Sequence, residues 1–585
     1  MVTKSELPFG HWPSSGIAGP SMGPSSGDDR RSALGNYMAA STFELAVSRQ
    51  RDFQAPVHLT PAYRLPKKPG FKAQEQHGFT HDFVGDDSSR QLEINLEAKL
   101  KEFSATAGQT LVTSHGGCQR VFFGLGLKSN FTFKTLCAAL APAFAQAKPL
   151  NTESVAVDIP AQAFRSGKRA NLRTFELGKA IGIIAHMTLY EPNHYKTEWS
   201  GFKKGKGIKT VTVTLPDDLS DSQIDSVRKG LETGKILGTA VNLARNLQNE
   251  PANKLGPKEF ADRGREVAAA SRGAITCAVW GREEIEKHGL RWYASVGKGS
   301  GEEQQFIKLE HKPADAVPGI QLAVVGKSVM FDTGGNDLKP ADGMKGMEFD
   351  MSGGAIAMAF ISAVAALKVP LHVVVYLPAT TNRIGPNASL PGDVEKGKAG
   401  MTMENDNTDA EGRLCLHDAI AQAREDGATY IIDLATLTGA QVVSLGDVYT
   451  GIFTNNQPWI EELKTAADEA GELVWQMPQH PDYAKQNRSK TADIKNTGGR
   501  MAGSITAAHF VLSAAGKVPG LPKVPVTPAI HCDIAGTANR DRATDLDPTR
   551  GTGCMVRTLV ALAQRMTKWN HTGKKPVAKQ ALRKA

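Results

Sequence analysis

Four runs of apolar, largely β-branched residues constrain the fold of this chain more than anything else in it: Ile320 to Val325, Leu371 to Leu377, Tyr430 to Leu434 and Ala529 to Ile534. A strand with one wet face alternates apolar and polar residues, whereas a strand covered on both faces by helices reads as a continuous apolar run. Helical patterns over Gly354 to Leu367 and Leu414 to Glu425 alternate with these runs. The order predicts an α/β fold whose larger, C-terminal domain is a mixed sheet flanked by helices, with chemistry carried on its loops.

Upstream, Leu92 to Leu100, Arg120 to Gly126, Ser154 to Ile159 and Val211 to Leu215 read as strands, and Lys134 to Ala147 and Ala170 to Met187 as helices. They predict a smaller N-terminal α/β domain. A long helical pattern from Ser222 to Gln248 connects the two. Breakers such as PSSG at Pro13 to Gly16 and PKKPG at Pro66 to Gly70 make residues before Ser89 read as an extended or disordered arm. The expected division is therefore 1–89 arm, 90–221 N-terminal domain, 222–249 connecting helix, 250–566 catalytic domain and 567–585 basic tail. A length of 585 residues fits two folded domains plus tails.

The formal charge of +9 invites a nucleic-acid reading until it is located. Seven Lys or Arg and no Asp or Glu lie between Arg565 and Ala585, so the tail carries most of the excess and the folded body is close to neutral. Six scattered cysteines with no C-x-x-C spacing fit reduced thiols inside a cell. No apolar run reaches membrane-spanning length, and no apolar segment of a secretory signal follows the start. The expected compartment is the cytoplasm, with the mitochondrion as the alternative.

Chemistry concentrates in two stretches, VGKSVMFDTGGNDLKPADGMKGMEFDMSGG at Val325 to Gly354 and NTDAEGR at Asn407 to Arg413. A pair of divalent cations needs hard oxygen ligands that can bridge, and Asp332, Asp350, Asp409 and Glu411 are candidates. A single Asp in a Gly-rich loop is usually a solvated turn. Four carboxylates in two motifs, flanked by glycines and basic residues, are not explained that way. Lys327 follows a buried strand, where neighbouring cations would depress its pKa and make a neutral amine available as a ligand. Lys339 and Arg413 would stay charged and act on developing negative charge. The Gly326-Lys327-Ser328 sequence lacks the earlier glycine of a phosphate-binding loop, since Gln321 occupies that position. Neither a G-x-S-x-G elbow nor an H-E-x-x-H helix is present. His417 and His531 read as structural histidines.

These two stretches resemble the leucyl aminopeptidases, also called cytosol aminopeptidases, and NTDAEGR matches that family's signature without a change. NLQNEPANKLGP from Asn246, ADIKNTGGRMAGSITAA from Ala492 and HCDIAGTA from His531 extend the likeness, which covers roughly Leu92 to Met566. The resemblance implies a metal-dependent exopeptidase releasing N-terminal, preferably hydrophobic, residues from peptides by attack of a metal-bridged water. It implies two divalent ions per subunit, Zn²⁺ or Mn²⁺. One is held by Lys327, Asp332, Asp350 and Glu411, the other by Asp332, Asp409 and Glu411. Lys339 and Arg413 match the catalytic positions, and Arg413 would hold a bicarbonate acting as general base. Met347, Thr436, Gly439 and Ala538 match the substrate pocket, where the small Ala538 implies extra room. Asn336, Asp337 and Asp406 depart from the common pattern and are expected to face solvent. A homohexamer is also implied. The competing expectation is a nucleic-acid-binding or scaffolding role for the basic tail on an aminopeptidase body.

Overall fold

The computed structural model describes residues 44–49, 55–64, 108–115, 118–127, 133–159, 170–192, 195–197, 207–544 and 546–569. Its first sheet has six strands, β1 (Glu44–Arg49), β2 (Val57–Arg64), β3 (Thr110–His115), β4 (Cys118–Leu127), β5 (Ser154–Asp158) and β6 (Thr210–Leu215), in the order β1-β6-β5-β2-β4-β3. All neighbours are parallel except β3 with β4. Helices α1 (Phe133–Ala147) and α2 (Ala170–Thr188) belong to this domain. Their core includes Phe123, Leu140, Phe144, Val155, Val213 and Ile181.

Two of these strands lie within the segment read as an arm, so the ordered N-terminal domain begins by Glu44 and that expectation is corrected. The reading failed because the breakers at Pro13 to Gly16 and Pro66 to Gly70 masked the strands between them, and Pro61 in β2 itself argues against a paired inner strand. Here β5 pairs only with Val57 to Leu59, and at Pro61 the neighbour is β4 alone, so the missing proline N–H costs no ladder bond on the β5 side. The strand expected at Leu92 to Leu100 and the basic tail beyond Trp569 lie outside the described residues.

Helix α3 (Asp221–Gln248) leads into the second domain. Ser220 begins it with a capping box: its hydroxyl accepts from Gln223 N, and its own N–H donates to Gln223 Oε1 at 3.0 Å. Helices α2 and α3 meet through glycines. A Cβ at Gly178 would stand 2.2 Å from Val227 O, and one at Gly230 only 2.1 Å from Phe175 O, so no larger residue fits this crossing. Further along α3, the fully buried Arg245 donates to Met187 O at 2.9 Å, Thr552 O at 3.0 Å and Asp547 Oδ1 at 2.7 Å. This one side chain ties α2 and α3 to the end of the catalytic domain.

The catalytic domain contains β7 (Thr276–Trp280), β8 (Gln305–His311), β9 (Gln321–Gly326), β10 (Ser328–Asp332), β11 (His372–Asn382), β12 (Val394–Lys396), β13 (Thr402–Glu404), β14 (Tyr430–Ala435), β15 (Thr450–Thr454), β16 (Val474–Gln476), β17 (Ile494–Lys495) and β18 (Ala529–Asp533). Nine form one sheet ordered β16-β15-β18-β14-β9-β11-β8-β7, with β10 also on β11. Strands β12, β13 and β17 form a separate ribbon. The central strands β18, β14, β9 and β11 are mutually parallel, and antiparallel pairs lie toward both edges.

Helices α4 (Pro257–Ala270), α5 (Ser352–Ala366), α6 (Gly412–Glu425), α7 (Gln457–Ala470), α8 (Gly503–Ser513) and α9 (Val556–Met566) cover it. Leu322 and Val324 of β9 join the core of α3, α4, α5, α7 and α9, while Ala323 and Val325 join that of α6 and α8. Burial on alternate faces explains the unbroken apolar runs. Each such side chain contributes roughly 1.5–3 kcal/mol on leaving water. The stretch Met347–Ala366 is apolar enough by length and composition to cross a membrane, but 83% of that window is buried inside this fold. It is the central core helix.

Candidate metal centre

Ligands in open α/β sheets bind beyond the carboxyl ends of parallel strands, and here those ends carry the candidate residues. Lys327 directly follows β9, Asp332 closes β10, Thr436 follows β14 and Asp533 closes β18. Asp350 lies in a 3₁₀ turn, Met347–Met351, leading into α5, and Glu411 is the residue before α6.

One carboxylate oxygen from each of Asp332, Asp350 and Glu411 lies within 4.8 Å of the others, and all three residues are buried. Lys327 Nζ stands 2.8 Å from Asp350 Oδ2 and 2.9 Å from Glu411 Oε1, and donates to Thr436 O at 3.1 Å. Lys339 Nζ stands 2.8 Å from Asp332 Oδ2 and also pairs with Asp409 Oδ1. Asp409 is thus joined to the buried trio through Lys339. Glu411 has helical backbone angles, so Asp409 and Glu411 reach the site from a turn and a helix start.

Gly412 explains how Lys327 reaches its partners. A Cβ there would lie 2.5 Å from Lys327 Cε and 2.7 Å from Nζ, so the lysine stem crosses the first turn of α6 where only glycine leaves room.

The electrostatics of this cluster are one-sided. Four carboxylates face two ammonium groups, and the charge of Arg413 is shared with Glu411 and Asp533. Burial pushes the Asp350 carboxyl well above the usual range; Lys327 opposes the rise, while Asp332 and Glu411 add to it. Burial, reinforced by Glu411 and Asp332, pushes Asp409 up to about 6. For Lys327, burial alone would favour the neutral amine, but Asp350, Glu411 and Asp332 outweigh it and hold the ammonium above its ordinary range. The neutral amine expected from sequence depends on the opposing field of cations, which these carboxylates do not provide. Lys339 is raised in the same way against its own burial, chiefly by Asp332. Burial pulls Arg413 down to about 10.

This donor set fits divalent metal ions. Asp350 Oδ2 and Glu411 Oε1 are buried and, although at ion-pair distance from Lys327, have no hydrogen-bond partner of good geometry among the described residues. Hard, underneutralised carboxylate oxygens held together in a dry site are the chemistry that such cations satisfy.

Several supporting residues were not singled out from sequence. Asn382 Nδ2 donates to Asp332 Oδ1 at 2.8 Å and to Thr408 O at 3.0 Å, and Gly334 N donates to the same Asp332 oxygen at 2.8 Å. Asp332 and Asn382 are register partners on β10 and β11, a signal available only once the pairing is known. Asp337 was expected to face solvent, but its Oδ2 accepts from Thr408 N at 2.7 Å and bridges the two motifs. Asp406 is exposed as expected, and accepts from Lys495 Nζ at 3.1 Å and from Thr497 Oγ1 at 2.5 Å. Asn336 is exposed, with Nδ2 donating to Ser389 O at 2.7 Å.

Of the pocket candidates, Thr436 hydrogen-bonds Asp350 Oδ1 through its hydroxyl at 2.8 Å, Met347 opens the turn carrying Asp350, and Gly439 starts a short exposed helix. Ala538 is fully buried in the main core, where its carbonyl accepts from Thr552 N and Gln248 Nε2. Both histidines are structural: His417 packs against Trp292 and Phe510, and His531 pairs with Asp433.

Residues 242–560 match the model of the cytosol aminopeptidase family, catalytic domain. A probable cytosol aminopeptidase of Alkaliphilus metalliredigens is 34% identical over 480 residues, covering 81% of this chain and 91% of that protein. One from Solibacter usitatus is 40% identical over 374 residues, covering 64% and 73%. Among solved structures, a tomato leucine aminopeptidase variant superposes with a TM-score of 0.76 at 25% identity, covering 90% of this chain and 97% of that one. The bottromycin maturation enzyme BotP in complex with Mn gives 0.71 at 29% identity, covering 88% and 100%. With its buried carboxylate–lysine centre at the carboxyl ends of the strands, this chain belongs to the cytosol aminopeptidase family and is a metal-dependent leucyl aminopeptidase.

Proposed function

We propose that the protein removes N-terminal, preferably hydrophobic, residues from peptides by hydrolysis that requires two divalent cations, Mn²⁺ or Zn²⁺. The observation that carries this reading is the convergence of Asp332, Asp350 and Glu411 within 4.8 Å, with Asp409 tied to them through Lys339. Lys327, Asp332, Asp350 and Glu411 would hold one cation, and Asp332, Asp409 and Glu411 the other. Mn in the BotP structure favours Mn²⁺ as the first ion to test. When bound, the cations supply Lewis acidity that brings proton loss from water toward neutral pH, and a bicarbonate would supply a general base.

The chain's own residues do the rest. Lys339, in a half-exposed loop, is the donor for negative charge developing on the peptide carbonyl oxygen, a contribution of about 3 kcal/mol for one such group. Arg413 has Nη1 committed to Asn496 O at 2.6 Å and a buried Nε with no hydrogen-bond partner among the described residues, which suits it to hold an anion such as bicarbonate. A free α-amine directed toward Asp350 would restrict the enzyme to chain ends. The protein is further proposed to assemble as a homohexamer.

Hydrolysis of leucine p-nitroanilide tests the reading. Activity should vanish with a chelator and return with Mn²⁺ or Zn²⁺. Full activity in Asp332→Ala, or in thoroughly chelated enzyme, would overturn it.

A further inference from the structure

Asp533 is fully buried at the end of β18, outside the carboxylate cluster, yet two of its three side-chain hydrogen bonds hold a loop next to that cluster. Its Oδ1 accepts from Leu437 N at 3.2 Å and Ala535 N at 3.1 Å, and its Oδ2 accepts from Thr438 Oγ1 at 2.7 Å. Thr438 Oγ1 in turn accepts Gln441 N at 3.0 Å, capping the short helix that follows. The same loop touches the centre one residue earlier. Thr436 O accepts from Lys327 Nζ at 3.1 Å, and Thr436 Oγ1 donates to Asp350 Oδ1 at 2.8 Å. Before that, Leu434 O accepts from Lys327 N at 2.9 Å and Ala435 O from Ile534 N at 2.8 Å. The segment from Leu434 to Thr438 is therefore pinned at each residue, by the sheet at its start and by Asp533 at its end.

We propose that Asp533 is a positioning residue of the metal centre: its grip on Leu437 and Thr438 sets Thr436, which orients Lys327 and Asp350 toward a cation. This rests on the reading of Lys327 and Asp350 as ligand positions. Nearby His531 has its Nδ1 2.5 Å from Asp433 Oδ1, so the histidine on the same strand face is already engaged and leaves Asp533 to the loop. A carboxylate suits the task because its two oxygens accept two donors from the loop and one from the turn after β18, and burial keeps water from competing for them.

Mn²⁺ titration by calorimetry and electron paramagnetic resonance tests this apart from catalysis. Asp533→Ala should weaken the tighter Mn²⁺ site by about 10–100-fold, the range typical of lost outer-shell partners. Asp533→Asn, which keeps the oxygen facing Leu437 N and Ala535 N, should restore affinity to within about threefold of wild type. Thr438→Val, which keeps side-chain volume and removes the hydroxyl's contacts with Asp533 and Gln441 N, should weaken binding about three- to tenfold and serves if Asp533→Ala does not fold. Wild-type affinity in a folded Asp533→Ala or in Thr438→Val overturns the proposal, as does an Asn variant as weak as the Ala one. Asp350→Ala is measured in parallel. If it too keeps full affinity, the reading of the site falls; if it alone loses Mn²⁺, only the role of Asp533 falls.

Discussion

Lys327 and Lys339 enter the same carboxylate cluster through different members, Asp350 and Glu411 for the first and Asp332 and Asp409 for the second, and are held in different ways. The Lys327 side chain is 4% exposed, and its backbone is fixed by Leu434 O on one side and Gly354 N on the other. Lys339 is 15% exposed, follows the exposed Leu338 and precedes the exposed Pro340 in an irregular loop, and pairs with Asp409, itself 32% exposed. Regular structure fixes the first, and a loop near solvent presents the second. On the proposed reading, the interior lysine would hold metal and the rim lysine would serve the chemistry.

Substituting each lysine separately gives the sharpest test. Lys339→Met should lower kcat by about 10²–10³-fold, the loss typical of one oxyanion donor, with Mn²⁺ content unchanged in metal analysis. A drop in bound metal instead would erase the distinction. Lys327→Met should weaken Mn²⁺ binding at least about tenfold. In chelated protein, where it leaves Asp350 and Glu411 without their cationic partner, urea unfolding should show a loss of about 3–5 kcal/mol. Equal stability of that variant and wild type would mean the interior pair is not buried as tightly as its geometry shows. Asp337→Ala removes the link between the two motifs at Thr408, which should cost roughly 1–1.5 kcal/mol, read as up to about tenfold in kcat/KM. Asn336→Ala, on an exposed residue of the same loop, should stay within about twofold.

The continuous apolar runs made the central sheet legible because both faces of β9, β11 and β14 are buried by helices, and composition alone records that. Lys327, Asp332, Asp350 and Glu411 were legible because they are close in two motifs and the fold closes a short distance between them. The strand in Val57–Arg64 was hidden by the breakers around it, and the tolerance of Pro61 within it depends on where β5 stops. Asn382, Asp337 and Asp533 were hidden for another reason. Each acts through a partner distant in the chain, and an isolated Asn or Asp in a loop or strand end carries no periodic signal. Asp337 in particular looks like a solvated turn until Thr408 is placed against it.

The glycine that opens α6 has a consequence for how such a site can change over time. With the Lys327 stem lying 2.5 Å from any methyl that Gly412 might carry, the two signature stretches are sterically interlocked and cannot drift independently. A graft that moved only NTDAEGR onto another α/β sheet would bring a groove with nothing to fill it. A longer residue at Gly412 would in turn evict the lysine even with every carboxylate intact. The transferable unit is both stretches together with the strand ends that aim them.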